Sequence, residues 1–497
     1  MLRVLGSRRP LCDGLSRRDL LRAGGLGFAG MTLPQLLHWK EQSAEAASHS
    51  QPSFGRAKAV ILLHLYGSPS QLEWADMKPD APAEIRGELG GISSTLPGCD
   101  VCELLPNLAK VMDRTSVIRS LTHDYPIHGV AYALTGVPAI DVAMELSPHD
   151  PQHWPFVGSV IDYLEKRDQP SARRSVPANM ALPFPFSSRR KGEVPRAGPY
   201  AAFLGSQHNP VWTNYVGKAT RGIDKVLGEL RFTDPDPYIG MAPESYFYVP
   251  AATELSSGIT LDRLNRRRSL LGQLDDRLRA TQRRAEFDQL DRYQQMAFGI
   301  LESEALRGAL DLRREQRSVR ESYGQTLFGQ ACLAARRLVE AGSRIVSVFW
   351  DEFGLAGHAW DTHYNHFQRM REALCPGLDQ AWYGLITDLD ARGLLDETLV
   401  VCTSEHGRTP QINKAGGRDH WSRVYTSLMA GGGVKRGFVL GASDKHGSDV
   451  ADRPVSPKDV LATMYHLLGI DHHQTITDAL SRPLPLVEGD VLTELLA

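Results

Sequence analysis

The sequence predicts an α/β domain with a mostly parallel central sheet and helices on both faces. Three observations carry this. Short, unbroken apolar runs recur, as in AVILLHL, RIVSVFW and TLVVCT, the form a strand takes when both its faces are buried. Segments with helical spacing of leucines separate these runs. Carboxylates and imidazoles gather just after the runs, at the strand ends where such sheets bind ligands.

The chain has 497 residues, 56 basic and 58 acidic, for a net charge of −2. That balance excludes a strongly basic nucleic-acid binder, and 42% hydrophobic content excludes disorder throughout. Residues 1–46 read as a twin-arginine signal: Ser16-Arg17-Arg18-Asp19-Leu20-Leu21, a glycine-rich apolar stretch from Ala23 to Leu37, then the small-residue site Ala44-Glu45-Ala46. The expected partner is the twin-arginine export machinery, and the expected location is periplasmic or extracellular. No stretch of 18 apolar residues predicts a transmembrane span.

The domain is read over residues 56–471. A strand over 58–65 ends at Tyr66-Gly67-Ser68-Pro69, a helix follows over 104–112, and a second strand covers 115–121. A short helix over 129–134 stops at Thr135-Gly136. Residues 138–250, rich in Pro, Gly and aromatics, read as long loops. Residues 261–338 are nearly free of proline and read as long helices with charged outer faces. Strands over 344–350 and 398–403 flank a helix over 378–389. A short run over 427–430 ends in three glycines, an amphipathic helix spans 455–468, and 472–497 form a tail. Cys99 and Cys102 either close a small disulfide loop or stay inert thiols.

Four strand ends deliver ligand-type residues. Glu73 and Asp76 follow the first; Thr122, His123, Asp124 and His128 the second. Asp351, His358, Asp361, His363 and His366 follow RIVSVFW; Glu405, His406, Asp419 and His420 follow TLVVCT. Carboxylate with imidazole is the donor set of zinc and other first-row divalent ions, and one or two such ions activate ester hydrolysis. Zinc is the expected cofactor, with manganese or calcium as alternatives. Isolated histidines, such as His149, His153, His446, His472 and His473, read as hydrogen-bonded or solvated residues.

Ser404-Glu405-His406-Gly407 resembles the Asp-His-Gly signature of the alkaline phosphatase and sulfatase superfamily, with Glu for Asp. His420 resembles its final histidine ligand, Asp361 with His363 or His366 its Asp/His pair, and Ala131–Gly136 the helix end after the sulfatase nucleophile. More closely, GSPSQLEWADMKPDAPAEIRGEL, ELLPNLAKVMDRTSVIRSLTH, WDTHYNHF and EHGRTPQINKAGGRDHW resemble the exported bacterial family known as domain of unknown function 1501. The resemblance implies an alkaline-phosphatase-like fold. It also shows departures. No cysteine stands in a Cys-x-Pro-Ser-Arg pattern, so the formylglycine of sulfatases is not expected. Tyr66-Gly67 stand where the superfamily places its first Asp, leaving Glu73 or Asp76 to substitute.

The expected function is therefore an exported metal-dependent hydrolase of phosphate or sulfate esters, its substrate a small molecule or a glycan. Asp76, Asp361, His363, Glu405, His406, Asp419 and His420 are the expected metal ligands. Thr122, His123 and His128 are the expected catalytic residues, as nucleophile and proton carriers. Arg408 and Arg418 are expected to hold the anion. The alternative is a catalytically silent carbohydrate- or anion-binding protein on the same fold, using aromatics such as Trp154, Trp212, Tyr215, Tyr246 and Phe247.

Overall fold

The computed structural model describes residues 53–497 except 127, 129–130, 138–141, 148–149, 151, 170–173, 193, 228–229, 251–302, 356–357 and 479. The twin-arginine stretch and most of the charged helical region lie outside these residues. Eight strands form the main sheet: β1 (Ala59–Leu65), β2 (Ser116–Leu121), β3 (Asn179–Leu182), β4 (Val211–Trp212), β5 (Ile345–Trp350), β6 (Thr398–Thr403), β7 (Tyr425–Ala430) and β8 (Phe438–Leu440). Their order is β8-β2-β7-β6-β1-β5-β3-β4. β1 lies at the centre, parallel to β5 and β6, with His64 opposite both Phe349 and Thr403. Every residue of β1, β5 and β6 is buried, the physical reason these segments are unbroken apolar runs.

β7 is antiparallel to both neighbours, β6 and β2. This reversal positions the site. A strand running backwards begins at the edge where β6 ends, so the loop 404–424 starts and finishes at one sheet edge. β2, also antiparallel to β7, ends at that same edge, as do β1 and β5.

Helices flank the sheet: α1 (Ala131–Thr135), α2 (Val157–Asp168), α3 (Leu327–Glu340), α4 (Cys375–Ala391) and α5 (Pro457–Leu467). α3 packs on β5 and on α4, and α1 packs on α5. α3 begins where the Thr326 hydroxyl accepts from the Gly329 amide. α5 opens with a reciprocal cap: the Ser456 hydroxyl accepts from Asp459 N while the Asp459 carboxylate accepts from Ser456 N at 2.8 Å.

Three expectations differ from the fold. The helix expected over 104–112 is a 3-10 helix over Leu108–Arg114. Its entry is fixed by the Asp379 carboxylate on α4, which accepts from the Asn107 and Leu108 amides at 2.9 and 2.7 Å. The loop-rich region contains α2 and the edge-ward strands β3 and β4. The tail beyond 471 is part of the core, with Leu486, Val487, Leu492 and Leu495 buried. Cys99 and Cys102 are buried free thiols. No helix among the described residues is long and apolar enough to cross a membrane.

Candidate metal centre

The exits of β1, β5 and β6 press against one another. Trp360 N donates to the Tyr66 carbonyl at 2.9 Å. Gly67, at φ +95°, lies so close that a Cβ there would stand 2.3 Å from Asp361 N. The loops 361–363 and 409–420 are knitted in turn: Arg418 N donates to the Thr362 carbonyl at 3.0 Å, and Asn413 Nδ2 to the His363 carbonyl at 2.9 Å. Ligand-type side chains far apart in sequence thus share one frame.

Asp361 Oδ1, His363 Nε2 and His420 Nε2 form a triangle with sides of 3.0 Å between the histidines, and 3.1 and 3.4 Å from them to the carboxylate. Each imidazole is engaged through its other nitrogen. His363 Nδ1 lies 2.7 Å from Asp419 Oδ1, and His420 Nδ1 lies 3.1 Å from the Pro126 carbonyl. With the proton on each Nδ1 facing its acceptor, the two Nε2 lone pairs would converge on one point. Ligands 2.0–2.1 Å from a tetrahedral ion stand about 3.3 Å apart, which is the scale of this triangle. Burial pulls the His420 imidazole down, keeping it neutral. Burial opposes ionisation of Asp361, but Arg408 and His128 outweigh it and hold the carboxyl well below the usual range.

A second group, His128, Glu405 and His406, offers three donor atoms within 4.8 Å of one another, and His128 also belongs to the first group. His128 Nδ1 is 3.1 Å from Glu405 Oε1, and its Nε2 is 3.3 Å from Asp361 Oδ2. Gly67 N donates to Glu405 Oε1 at 2.7 Å, and His64 Nε2 stands 3.3 Å from Oε2. His406 Nδ1 lies 2.8 Å from the Gly407 carbonyl, which fixes the proton there. Its Nε2 is buried with no hydrogen-bond partner, while His128 Nε2 and Glu405 Oε2 are buried with only their ion-pair contacts to Asp361 and His64. Burial, then the neighbouring His420, keeps His406 far below the usual imidazole range and therefore neutral. Burial pulls the His128 imidazole down, but Asp361 and Glu405 outweigh it and raise it to about 9, so a cation there would displace its proton. Together with the neutral His406 and His420 and the ionised carboxylates, these donors fit a first-row divalent ion, zinc foremost. An unsatisfied buried polar atom costs about 1–3 kcal/mol, and a cation beside His406 Nε2 would remove that cost.

Residues 57–496 match the family described as a protein of unknown function, DUF1501. The chain belongs to this family. No curated protein matches it. Solved structures similar to this DUF1501 chain include the PsFucS1 sulfatase from Pseudoalteromonas sp., at 13% identity over 92% of this chain and 76% of that one, TM-score 0.38. Another is a protein in the alkaline phosphatase superfamily from Vibrio parahaemolyticus, at 11% identity over 93% and 79%, TM-score 0.36. A third is the phosphonate monoester hydrolase SpPMH from Silicibacter pomeroyi, at 11% identity over 88% and 76%, TM-score 0.32. These likenesses are remote, and no activity passes to this chain through them.

The DUF1501 chain thus brings together Asp361, His363, Glu405, His406, His420 and His128. Asp419 stands one layer out, half-exposed, orienting His363. Asp76 lies apart, its carboxylate held by Lys78 Nζ at 2.9 Å and by the Ser443 hydroxyl. His123 is held by the backbone. Its Nε2 is 2.7 Å from the Glu405 carbonyl, and its Nδ1 accepts from Tyr125 N at 3.1 Å, so both nitrogens are spent on backbone. Thr122 is placed by its backbone, donating to the Val455 carbonyl at 2.9 Å.

Arg408 and Arg418 are not anion clamps, because both are fully buried with their terminal donors consumed. Arg408 donates to Asp361 Oδ1 at 2.5 Å and to the Gly67 and Ser68 carbonyls. Arg418 pairs with Glu73 and donates to the Ile85, Thr409 and Pro410 carbonyls. His366 takes no part in the donor groups; its Nε2 is 3.2 Å from Glu73. Of the aromatics considered for sugar stacking, Trp154 packs on Phe203, Trp212 packs on Phe349 and Phe247 is buried, while Tyr215 and Tyr246 are half-buried. His64 is the residue sequence reasoning missed. Its signal is a lone imidazole in the apolar run of β1, fully buried beside Glu405.

Proposed function

We propose that this protein is a metal-dependent hydrolase of phosphate or sulfate esters. The observation that carries the reading is the triangle of Asp361 Oδ1, His363 Nε2 and His420 Nε2, which has tetrahedral ligand spacing and abuts the second donor group. Divalent ions bound in such a site polarise an ester oxygen and lower the pKa of water. Asp361, His363 and His420 would hold one ion; Glu405 and His406 would hold a second, with His128 between the groups. Asp419 and the Pro126 and Gly407 carbonyls set the imidazole tautomers. Arg408 offsets the charge that Asp361 and Glu405 bring to a buried place. The attacking group is water or the Thr122 hydroxyl. The twin-arginine reading of residues 1–46 supports a location outside the cytoplasm for this chemistry.

The test is metal analysis of chelator-stripped and reloaded protein, with turnover of aryl phosphate and aryl sulfate esters. One or two equivalents of a divalent ion are expected, and His406→Ala should cut turnover by ~100-fold or more. Thr122→Val separates the two attacking groups: lost turnover with metal retained assigns attack to the hydroxyl. Reloaded protein holding less than about a tenth of an equivalent would end the proposal.

A further inference from the structure

Outside the metal centre, a separate set of ligand-type side chains lies just after α5. Asp471, His472 and His473 each offer one donor atom, and the three lie within 4.8 Å of one another. Consecutive side chains ordinarily fan apart, so this convergence needs a turn. The Asp471 carboxylate supplies one by accepting from His473 N at 3.0 Å. The two imidazole rings come to 3.9 Å, inclined at 39°. His472 is buried, with its imidazole facing the Gly489 backbone, the kind of neighbour that orients a ligating imidazole. His473 is exposed, so an ion can enter from solvent.

We infer that Asp471, His472 and His473 form a second, peripheral site for a first-row divalent ion, completed by water. Two imidazoles and a carboxylate suit copper(II), nickel or zinc, with copper bound most tightly. The site shares no residue with the metal centre. An ion there would brace the C-terminal tail, which already leans on this turn. Leu486 N donates to the Gln474 carbonyl at 3.1 Å, and Gly489 packs so closely on Lys458 that a Cβ would stand 2.3 Å from its carbonyl.

The experiment titrates copper(II) into chelator-stripped, full-length protein, read by equilibrium dialysis and electron paramagnetic resonance. Wild type, His473→Ala, His363→Ala and the double variant are compared. His473→Ala should lower the copper stoichiometry by one equivalent and remove one signal with nitrogen coupling, while leaving the metal centre loaded. His363→Ala should leave that signal in place. An unchanged stoichiometry and spectrum in His473→Ala would overturn the inference. Should His473→Ala lose its fold by circular dichroism, Asp471→Asn takes its place, with at least a ~10-fold loss of affinity expected and an unchanged affinity decisive against the site.

Discussion

Replacing Glu73 by glutamine tests whether the buried arginines build the site or serve it. Glu73 and Arg418 are fully buried and paired, and His366 Nε2 lies 3.2 Å from the second carboxylate oxygen. Burial opposes ionisation of Glu73, but Arg418 and His366 outweigh it and hold the carboxyl down at about 2. The gap from a free value of about 4.3 corresponds to ~3 kcal/mol at ~1.4 kcal/mol per pH unit. Because the folded value is depressed, this stability is present above about pH 4.3 and is lost as pH falls toward 2. The Glu73→Gln substitution removes it at every pH and leaves the Arg418 charge buried without a counter-ion, a loss of about 3–5 kcal/mol at pH 7. The assay is urea unfolding of wild type and variant, both chelator-treated so that metal release does not enter. The difference should be largest at pH 7 and shrink between about pH 4.3 and 2.5. A variant within about 0.5 kcal/mol of wild type at pH 7, or a difference constant across that window, would refute the reasoning.

Three further outcomes are expected. His64→Phe removes the imidazole 3.3 Å from Glu405 Oε2 within an aromatic setting beside Phe349, so metal affinity measured by chelator competition should fall ~10–100-fold with the fold retained. Gly417→Ala would put a Cβ 2.0 Å from the His363 carbonyl; unfolding should show a loss of ~1–3 kcal/mol and dialysis a loss of bound metal. Replacing Arg17 and Arg18 by Lys should leave the protein in the cytoplasmic fraction, and normal secretion would show that residues 16–22 are misread.

The strands that mattered most were legible because full burial writes itself as a run of apolar residues. β1, β5 and β6 are such runs. β3 and β4 were not legible. They are four and two residues long, and NMAL and VW are too short to show a period amid prolines. The reversed direction of β7 was equally hidden, since pairing sense leaves no mark on a buried strand's composition. Yet that reversal brings His420 to the edge where Glu405 and His406 emerge. The grouping of Asp361, His363, Glu405, His406 and His420 rests in the sequence on their place after strand ends and on the resemblance of their motifs. His64 was overlooked because a residue inside an apolar run reads as core.

The arginines show where a motif stops being informative. Arg408 and Arg418 stand within a few residues of Glu405, His406 and His420, where an anion-binding guanidinium would also stand. The loops that carry ligands leave the sheet, and their carbonyls lose the ladder partners a strand provides. A guanidinium brings five donors in a rigid fork, enough to satisfy several carbonyls and one carboxylate together. Arg408 does this for Gly67, Ser68 and Asp361, and Arg418 for Ile85, Thr409, Pro410 and Glu73. Sequence position cannot separate a clamp on substrate from a clamp on the loop, since both need the same side chain at the same distance from the ligands. Burial separates them. A fully buried guanidinium whose terminal nitrogens already reach carbonyls and carboxylates has no fork to offer a diffusing anion.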